Sequence, residues 1–209
     1  MSEDKGKFQL HSRKVGALPI VNHFLDRLRI ECLFDQYLEI PDPRCAISPH
    51  RILMLLVRNL IIDRHPLYAL GEWAGSMLPE LVGLSEPELD QLNDDRIGRA
   101  LDRLFDADRL ALLTELVLHT VQCFEVDLQQ LHNDSTSLTL QGAYGKADGQ
   151  PMRGKPTARG YSKDHRPDLK QLLWILTVSR DGGVPVHFKV SAGQTADAST
   201  HIETWNRLR

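Results

Sequence analysis

The sequence predicts an α+β chain, in which an N-terminal all-α domain precedes a mixed α/β domain that starts with an antiparallel three-strand meander and a helix. Two patterns carry this prediction. Up to about residue 126, apolar residues recur at helical spacing, whereas between 128 and 191 they alternate with polar residues or form one short buried run. We therefore place a flexible N-terminus at 1–14, a helical domain at 15–126 and the β-containing domain at 127–209.

Apolar spacing locates the first helices of the N-terminal domain. A single apolar face runs through 19–38, and Pro19 suits a first helical turn. Ser48 and Pro49 form an N-cap and first-turn pair for the next helix, whose run from 52 to 61 is apolar nearly all round. Such a helix belongs at the centre of a bundle. A shorter helix is predicted after Pro66.

Two amphipathic helices follow in the same domain. Asn93 or Asp94 can cap the first of them, within 89–104, and the second runs through 110–124. Joined through 106–108, the pair fits a helix-turn-helix, although helical hairpins are common and most of them do not contact DNA.

The second half is predicted to contain strands separated by a long loop. Residues 128–140 open it, and a loop rich in glycine and proline follows at 141–170. A buried strand at 171–179, a turn at 180–183 and an alternating strand at 184–191 come next. A helix then begins at about 200, with Asp197 or Ser199 as its cap.

Composition narrows the class of protein. With 209 residues, 42% hydrophobic and 25% charged, the chain has an ordinary globular composition. Three widely spaced cysteines without a CxxC pair argue against a disulfide framework or a zinc site, so we expect a reducing, cytoplasmic setting. The charged N-terminus is not a secretory signal, and the apolar run at 52–62 is too short to span a bilayer, so we expect no membrane partner.

The small net charge of −3 conceals an uneven distribution. Residues 1–127 hold 14 Lys plus Arg against 21 Asp plus Glu, giving −7, whereas residues 128–209 hold 11 against 7, giving +4. The cations are densest between 146 and 170. A basic segment of this kind suggests a polyanionic substrate, and its alternative is a solvated loop.

Asp134 interrupts the apolar pattern of 128–140 and admits two interpretations. A carboxylate at the end of a central strand lies at the rim of a sheet, where a divalent cation can bind it and stay open to substrate. Alternatively, residues 133–136 are turn formers that join two strands. His132 either supports such a metal site or is a packed strand histidine.

Several segments together resemble a known family: NDSTSL at 133–138, GYSKDHRPDLKQLL at 160–173, DGGVPV at 181–186 and GQTADAST at 193–200. They are similar to the DDE transposases of bacterial insertion sequences, in particular the sixteen-thirty-four type. NDDRIGRALDRLF at 93–105 is similar to the helical N-terminal region of that group. The resemblance extends over nearly the whole chain from about residue 15, and GYSKDHRPDLKQ is its most specific part.

The resemblance implies a ribonuclease H-like catalytic domain, of which 127–209 would be the truncated first part. Asp134 would then be the first acidic metal ligand and a catalytic residue. The second aspartate and the glutamate of the family belong to segments beyond the first helix, which this sequence does not contain. Asp197 lies in a motif that precedes that helix, which favours a helix cap or supporting acid over a second ligand.

The function implied is cutting and joining of DNA at insertion-sequence ends, by two-metal hydrolysis and transesterification of phosphodiesters. Two cations about 3.5 to 4 Å apart need about three carboxylates to hold them. We therefore expect Mg²⁺ or Mn²⁺ as a cofactor only in the complete protein, and this chain to be inactive alone.

Contacts with DNA are expected from the basic segment. Its side chains would neutralise phosphates near the cut, whatever the base sequence; they are Lys155, Arg159, Lys163, His165, Arg166 and Lys170. For the acidic helical half, two functions are alternatives: it recognises transposon ends, or it forms a homodimer.

Other classes of function remain as alternatives. A non-enzymatic DNA-binding or dimerising regulator, derived from a transposase, would keep the binding parts without the later acids. A serine hydrolase lacks a GxSxG context for Ser135 or Ser162, and no GxxxxGK[ST] loop indicates a nucleotide cofactor.

Overall fold

The computed structural model describes residues 12–38, 45–140, 158–159 and 169–192. The chain divides into two compact units, Met1–Cys123 and Phe124–Arg209, of which the first carries the helices and the second the strands. We call them the helical unit and the sheet unit. The predicted order, helices first and an antiparallel sheet second, is confirmed.

Among the residues described, the first part of the chain forms eight α-helices and one 3-10 turn at Leu67–Ala69. The helices are α1 Leu18–Arg27, α2 Ile30–Tyr37, α3 Pro49–Ile62, α4 Leu70–Ser76, α5 Pro79–Val82, α6 Glu86–Leu89, α7 Asp94–Asp106 and α8 Arg109–Phe124. None of these helices combines the length and the apolar character that crossing a lipid bilayer requires.

Helix α3 supplies much of the helical core. Five consecutive residues from Ile52 to Leu56 are buried, and α7 packs across this helix with Ile97 and Ala100 turned inward. The predicted central position of α3 holds for its first turns. The last turn of α3 is not central, because Leu60 and Ile61 are 61% and 54% exposed.

The prediction of one helix over 19–38 is wrong. The chain breaks after α1, and Arg29 adopts a left-handed conformation with φ 53° before α2 begins. An unbroken helix of 20 residues would be about 30 Å long and would carry its far end away from the core. The break instead lets Leu25 of α1 and Phe34 of α2 enter the same hydrophobic cluster.

Helix caps account for several boundaries. Of the two predicted caps of α7, Asn93 fills the position, and its side-chain oxygen accepts a hydrogen bond from the Arg96 N–H at 3.0 Å. The four-residue helices α5 and α6 were not predicted, because so short a segment has no hydrophobic period. Ser85 and Glu88 form a capping box at the start of α6.

The described strands are β1 Leu131–Leu140, β2 Ala158–Arg159, β3 Lys170–Ser179 and β4 Pro185–Ala192. All pairings are antiparallel and involve β3: β1 runs along one side of it, and β2 and β4 share the other. The predicted strands at 171–179 and 184–191 are confirmed within one residue at each end.

The turn between β3 and β4 is stabilised by hydrogen bonds and by glycine. Ser179 donates its N–H to the Val184 carbonyl at 2.9 Å, and its hydroxyl accepts the Val184 N–H at 3.1 Å. Gly182 and Gly183 have φ of 70° and 65°, a region that favours glycine. The helix predicted from 200, with its caps Asp197 and Ser199, lies outside the described residues.

Candidate metal and nucleic-acid site

Strand pairing fixes the position of Asp134. It is the fourth residue of β1 and lies opposite Leu176 of β3, which in turn lies opposite Phe188 of β4. Directly opposed residues point to the same face of a sheet. Asp134, Leu176 and Phe188 therefore form one row across one face, which we call the Asp134 face.

Contacts on the opposite face of the sheet fix the orientation of β1 relative to β3. Ser135, the next residue of β1, is 3% exposed and pairs with the fully buried Ile175. Thr177 donates its hydroxyl to the side-chain oxygen of Asn133 at 2.7 Å. Because side chains alternate along a strand, these contacts turn Asp134 outward.

The carboxylate of Asp134 is exposed, and its Oδ1 accepts the backbone N–H of Ser135 at 2.8 Å. His132 and Thr136, two residues away on each side, are also exposed on the Asp134 face. His132 is therefore not the packed strand histidine that the sequence also allowed. A surface carboxylate with a neighbouring imidazole and hydroxyl offers ligands for a divalent cation.

Both sequence interpretations of the strand around Asp134 need correction. Residues 133–136 do not form a turn, since all four pair with β3 inside β1. Asp134 is also not at the end of an interior strand: it lies within the strand, and β1 pairs with β3 alone among the described strands. Leu131 and Leu138 occupy opposite faces and are 38% and 45% exposed, so the leucine pattern does not mark one buried face.

The number of acidic ligands limits the chemistry. Within the four described strands, Asp134 is the single acidic residue. In the described part of the chain, no three His, Cys, Asp or Glu side chains come together as a metal site. The described residues can therefore offer a weak, open site for one cation.

Of the predicted DNA-binding residues, Lys170 is the one whose side chain is described. It begins β3 opposite Leu140 and is half-buried on the Asp134 face. It lies six positions along β3 from Leu176, the residue opposite Asp134, which is about 20 Å along a strand. Arg159 lies in β2, but its side chain is outside the described set, as are Lys155, Lys163, His165 and Arg166.

An aromatic pair on the Asp134 face was not predicted. The rings of Trp174 and Phe188 stack with centroids 4.7 Å apart and planes 14° apart. Trp174 lies opposite Thr136 in the row next to Asp134, and Phe188 ends the row of Asp134 itself. The register between β3 and β4 brings these rings together.

Comparison with known proteins places part of the chain in a family. Residues 10–118 match the family model described as Domain of unknown function (DUF4277), which covers just over half of the chain. No curated protein and no solved structure matches.

Proposed function

The chain belongs to the DUF4277 family, and from this premise we propose that its sheet unit is the DNA-processing part of a transposase. The matched segment, 10–118, ends before the sheet unit begins. The proposal for the sheet unit therefore depends on its own residues, and first on the motifs that resemble DDE transposases.

The outward position of Asp134 on the first strand of the sheet is the observation that carries the proposal. In a ribonuclease H-like catalytic domain, three antiparallel strands come first and the first acidic ligand lies on the first of them. The order β1–β3–β4, with β3 in the middle, agrees with such a beginning. Asp134 has the residue type, the strand and the exposure that this role requires.

A divalent cation, Mg²⁺ or Mn²⁺, would be held by Asp134. Such a cation activates the attacking oxygen and stabilises the leaving oxygen of a phosphodiester. Asp134 contributes one anionic ligand, and β3 keeps that ligand in place through the hydrogen bond between Asn133 and Thr177.

The basic segment would bind the DNA backbone. Each Lys or Arg that neutralises a phosphate contributes a salt-dependent attraction that does not read the bases. The backbone of Lys170 lies about 20 Å along the strand direction from that of Asp134, a distance that corresponds to about six nucleotides of one strand at 3.4 Å each. We propose that DNA runs along the strand direction between them.

Asp134 is the single acidic residue of the described strands, and this favours binding of DNA without cutting. One carboxylate does not hold two cations. We therefore propose that cleavage needs further acidic ligands and that this chain alone binds DNA. A regulator that occupies transposon ends without cutting them is the second candidate function, and the same observation favours it.

Two assays on the purified chain test the proposal. In the first, binding to a duplex is measured at 50 and 200 mM salt for the wild type and for a variant with Lys155, Arg159, Lys163 and Arg166 changed to Gln. A control with two substitutions changes Arg180 and Lys189 of the sheet unit to Gln. We expect binding to weaken strongly with salt and with the first variant alone. Equal binding affinity at 50 and 200 mM salt would contradict the proposed role in DNA binding.

In the second assay, plasmid cleavage is followed with Mg²⁺ and with Mn²⁺. We expect no cleavage by the wild-type chain. Cleavage that Asp134→Asn abolishes, and that Asp181→Asn leaves intact, would overturn the claim of inactivity and support the catalytic role of Asp134. Asp181 is a suitable control, because it is an exposed acid in the same unit and its oxygen remains an acceptor as an amide.

A further inference from the structure

His132 and Asp134 form a pair on the exposed side of β1. Both are exposed, and they lie opposite Val178 and Leu176 on the same face. Two residues of a strand span about 6.6 Å between Cα atoms. Side chains at this spacing can converge on one ion, since an imidazole nitrogen and a carboxylate oxygen each bind a metal at about 2.0 to 2.2 Å.

The backbone under the pair is fixed. Asn133, the residue between them, accepts the Thr177 hydroxyl at 2.7 Å, and Ser135 is buried on the same opposite face. Residues 131–140 pair with β3 without interruption. Chelation by the two side chains therefore needs rotation about side-chain bonds, and leaves the backbone as it is.

The ligand types determine which ion fits. Mg²⁺ takes oxygen ligands, keeps several waters and loses them reluctantly. Transition-metal ions accept an imidazole nitrogen beside a carboxylate. Two protein ligands also leave coordination positions open to water or to phosphate oxygens.

We propose that His132 and Asp134 chelate the same divalent cation, and that His132 makes the site select Mn²⁺ over Mg²⁺. This inference rests on the proposed metal role of Asp134 and adds a second ligand with a consequence for metal choice. His132 contributes a direct ligand, and the Asn133–Thr177 hydrogen bond keeps the two ligands on one face.

Metal binding by the whole chain tests the inference without any DNA. Mn²⁺ is titrated into wild type, His132→Gln and Asp134→Asn, and free Mn²⁺ is measured by electron paramagnetic resonance. The control is His65→Gln, an exposed histidine of the helical unit. We expect His132→Gln to weaken Mn²⁺ binding about tenfold or more, since loss of even an outer-shell partner of a metal ligand costs about tenfold. The Mg²⁺ affinity obtained by competition should stay unchanged, so the preference for Mn²⁺ falls by the same factor, while His65→Gln changes neither affinity.

A second measurement asks whether both residues hold one ion. Mn²⁺ well below the protein concentration should broaden the imidazole proton signals of His132, assigned by their loss in His132→Gln. In Asp134→Asn the broadening should be lost, because the paired ligand is missing. Persistent broadening of His132 in Asp134→Asn would overturn shared chelation.

The outcomes separate this inference from the proposed function. Mn²⁺ binding that depends on Asp134 and not on His132 refutes the inference and leaves the transposase proposal standing. Binding that depends on both residues, in a chain that does not bind DNA, supports the inference and refutes the proposed function. Binding that depends on neither residue overturns the shared site.

Discussion

Thr177 of β3 donates its hydroxyl to the side-chain oxygen of Asn133 of β1 at 2.7 Å, on the face of the sheet opposite Asp134. Thr177 is 1% exposed, so this contact is made away from water. It anchors the residue directly before Asp134. The stability of β1 and the direction of the candidate ligand therefore depend on the same hydrogen bond.

We predict that Thr177→Val lowers the free energy of unfolding of the sheet unit. Valine keeps the shape and removes the donor, which leaves a partly buried acceptor on Asn133 and costs about 1 kcal/mol. Urea denaturation followed by near-ultraviolet circular dichroism measures the change. The control, Thr136→Val, makes the same substitution at an exposed position of the Asp134 face and should cost nothing measurable. Equal losses in both variants would contradict the anchoring role.

Arg58 supports a second prediction, in the helical unit. Its side chain on α3 is 7% exposed, its Nε donates to Asn22 Oδ1 at 2.7 Å, and its Nη1 donates to the Val82 carbonyl at 3.2 Å. Burial lowers the pKa of this guanidinium below the ordinary value for arginine. The residue thus joins α3 to α1 and α5 from inside the unit.

We predict that Arg58→Met destabilises the chain by about 2 to 4 kcal/mol, because methionine fills the space and leaves one buried acceptor, the Val82 carbonyl, and one partly buried acceptor, Asn22 Oδ1, without their donor. The matched control is Arg99→Met on the exposed side of α7, where a change within about 0.5 kcal/mol is expected. Urea denaturation followed by circular dichroism at 222 nm compares the two. A smaller loss at Arg58 than at Arg99 would refute the interpretation.

Glu88 gives a prediction of pH dependence. Burial alone would raise the pKa of its carboxyl, but hydrogen bonds from the hydroxyl and N–H of Ser85, each at 2.7 Å, and from Arg51 outweigh burial, so the pKa lies below its ordinary value. A depressed carboxyl pKa stabilises the fold fully above the unfolded value of about 4.3, and this contribution is lost as the pH falls through the folded pKa.

We predict that Glu88→Gln flattens the loss of stability between about pH 5 and pH 3, because the amide does not titrate in that range. Glu80→Gln, at an exposed position on α5, should leave the acid slope unchanged. Thermal unfolding at a series of pH values measures both slopes. A steeper acid slope in Glu88→Gln would show that the sign is wrong.

Local signals predicted the β3–β4 hairpin and the cap of α7. A buried apolar run and an alternating run on the two sides of a D-G-G turn need no distant partner to be recognised. Asn93, one of the two predicted caps, lies four residues before the first apolar residue of its helix, Ile97. The break between α1 and α2 carries no such signal. A left-handed arginine at position 29 is adopted because Leu25 and Phe34 then share one core, which depends on tertiary packing.

The sequence identified Asp134 as the candidate ligand, but it did not predict where on the sheet this residue lies. The segment from Asn133 to Thr136 consists of turn-forming residue types, yet it forms strand, because pairing with β3 and the Thr177 hydroxyl satisfy its polar groups. Which face Asp134 occupies depends on register, and so does the position of His132 beside it. A slip of one residue would exchange the two faces.

Register also determines the contact between Trp174 and Phe188, whose stacked rings lie beside Asp134. Offset or stacked aromatic pairs contribute about 0.5 to 1.5 kcal/mol beyond the area they bury. We predict a coupling of this size in a double-mutant cycle of Trp174→Leu and Phe188→Leu, measured by urea denaturation. A control cycle pairs Trp174→Leu with Val186→Ala, at a half-buried position of the same strand, β4. If the losses in the free energy of unfolding were additive in the first cycle, the stack would contribute only its buried area. The aromatic pair would then not be what keeps β3 and β4 in register beside the candidate site.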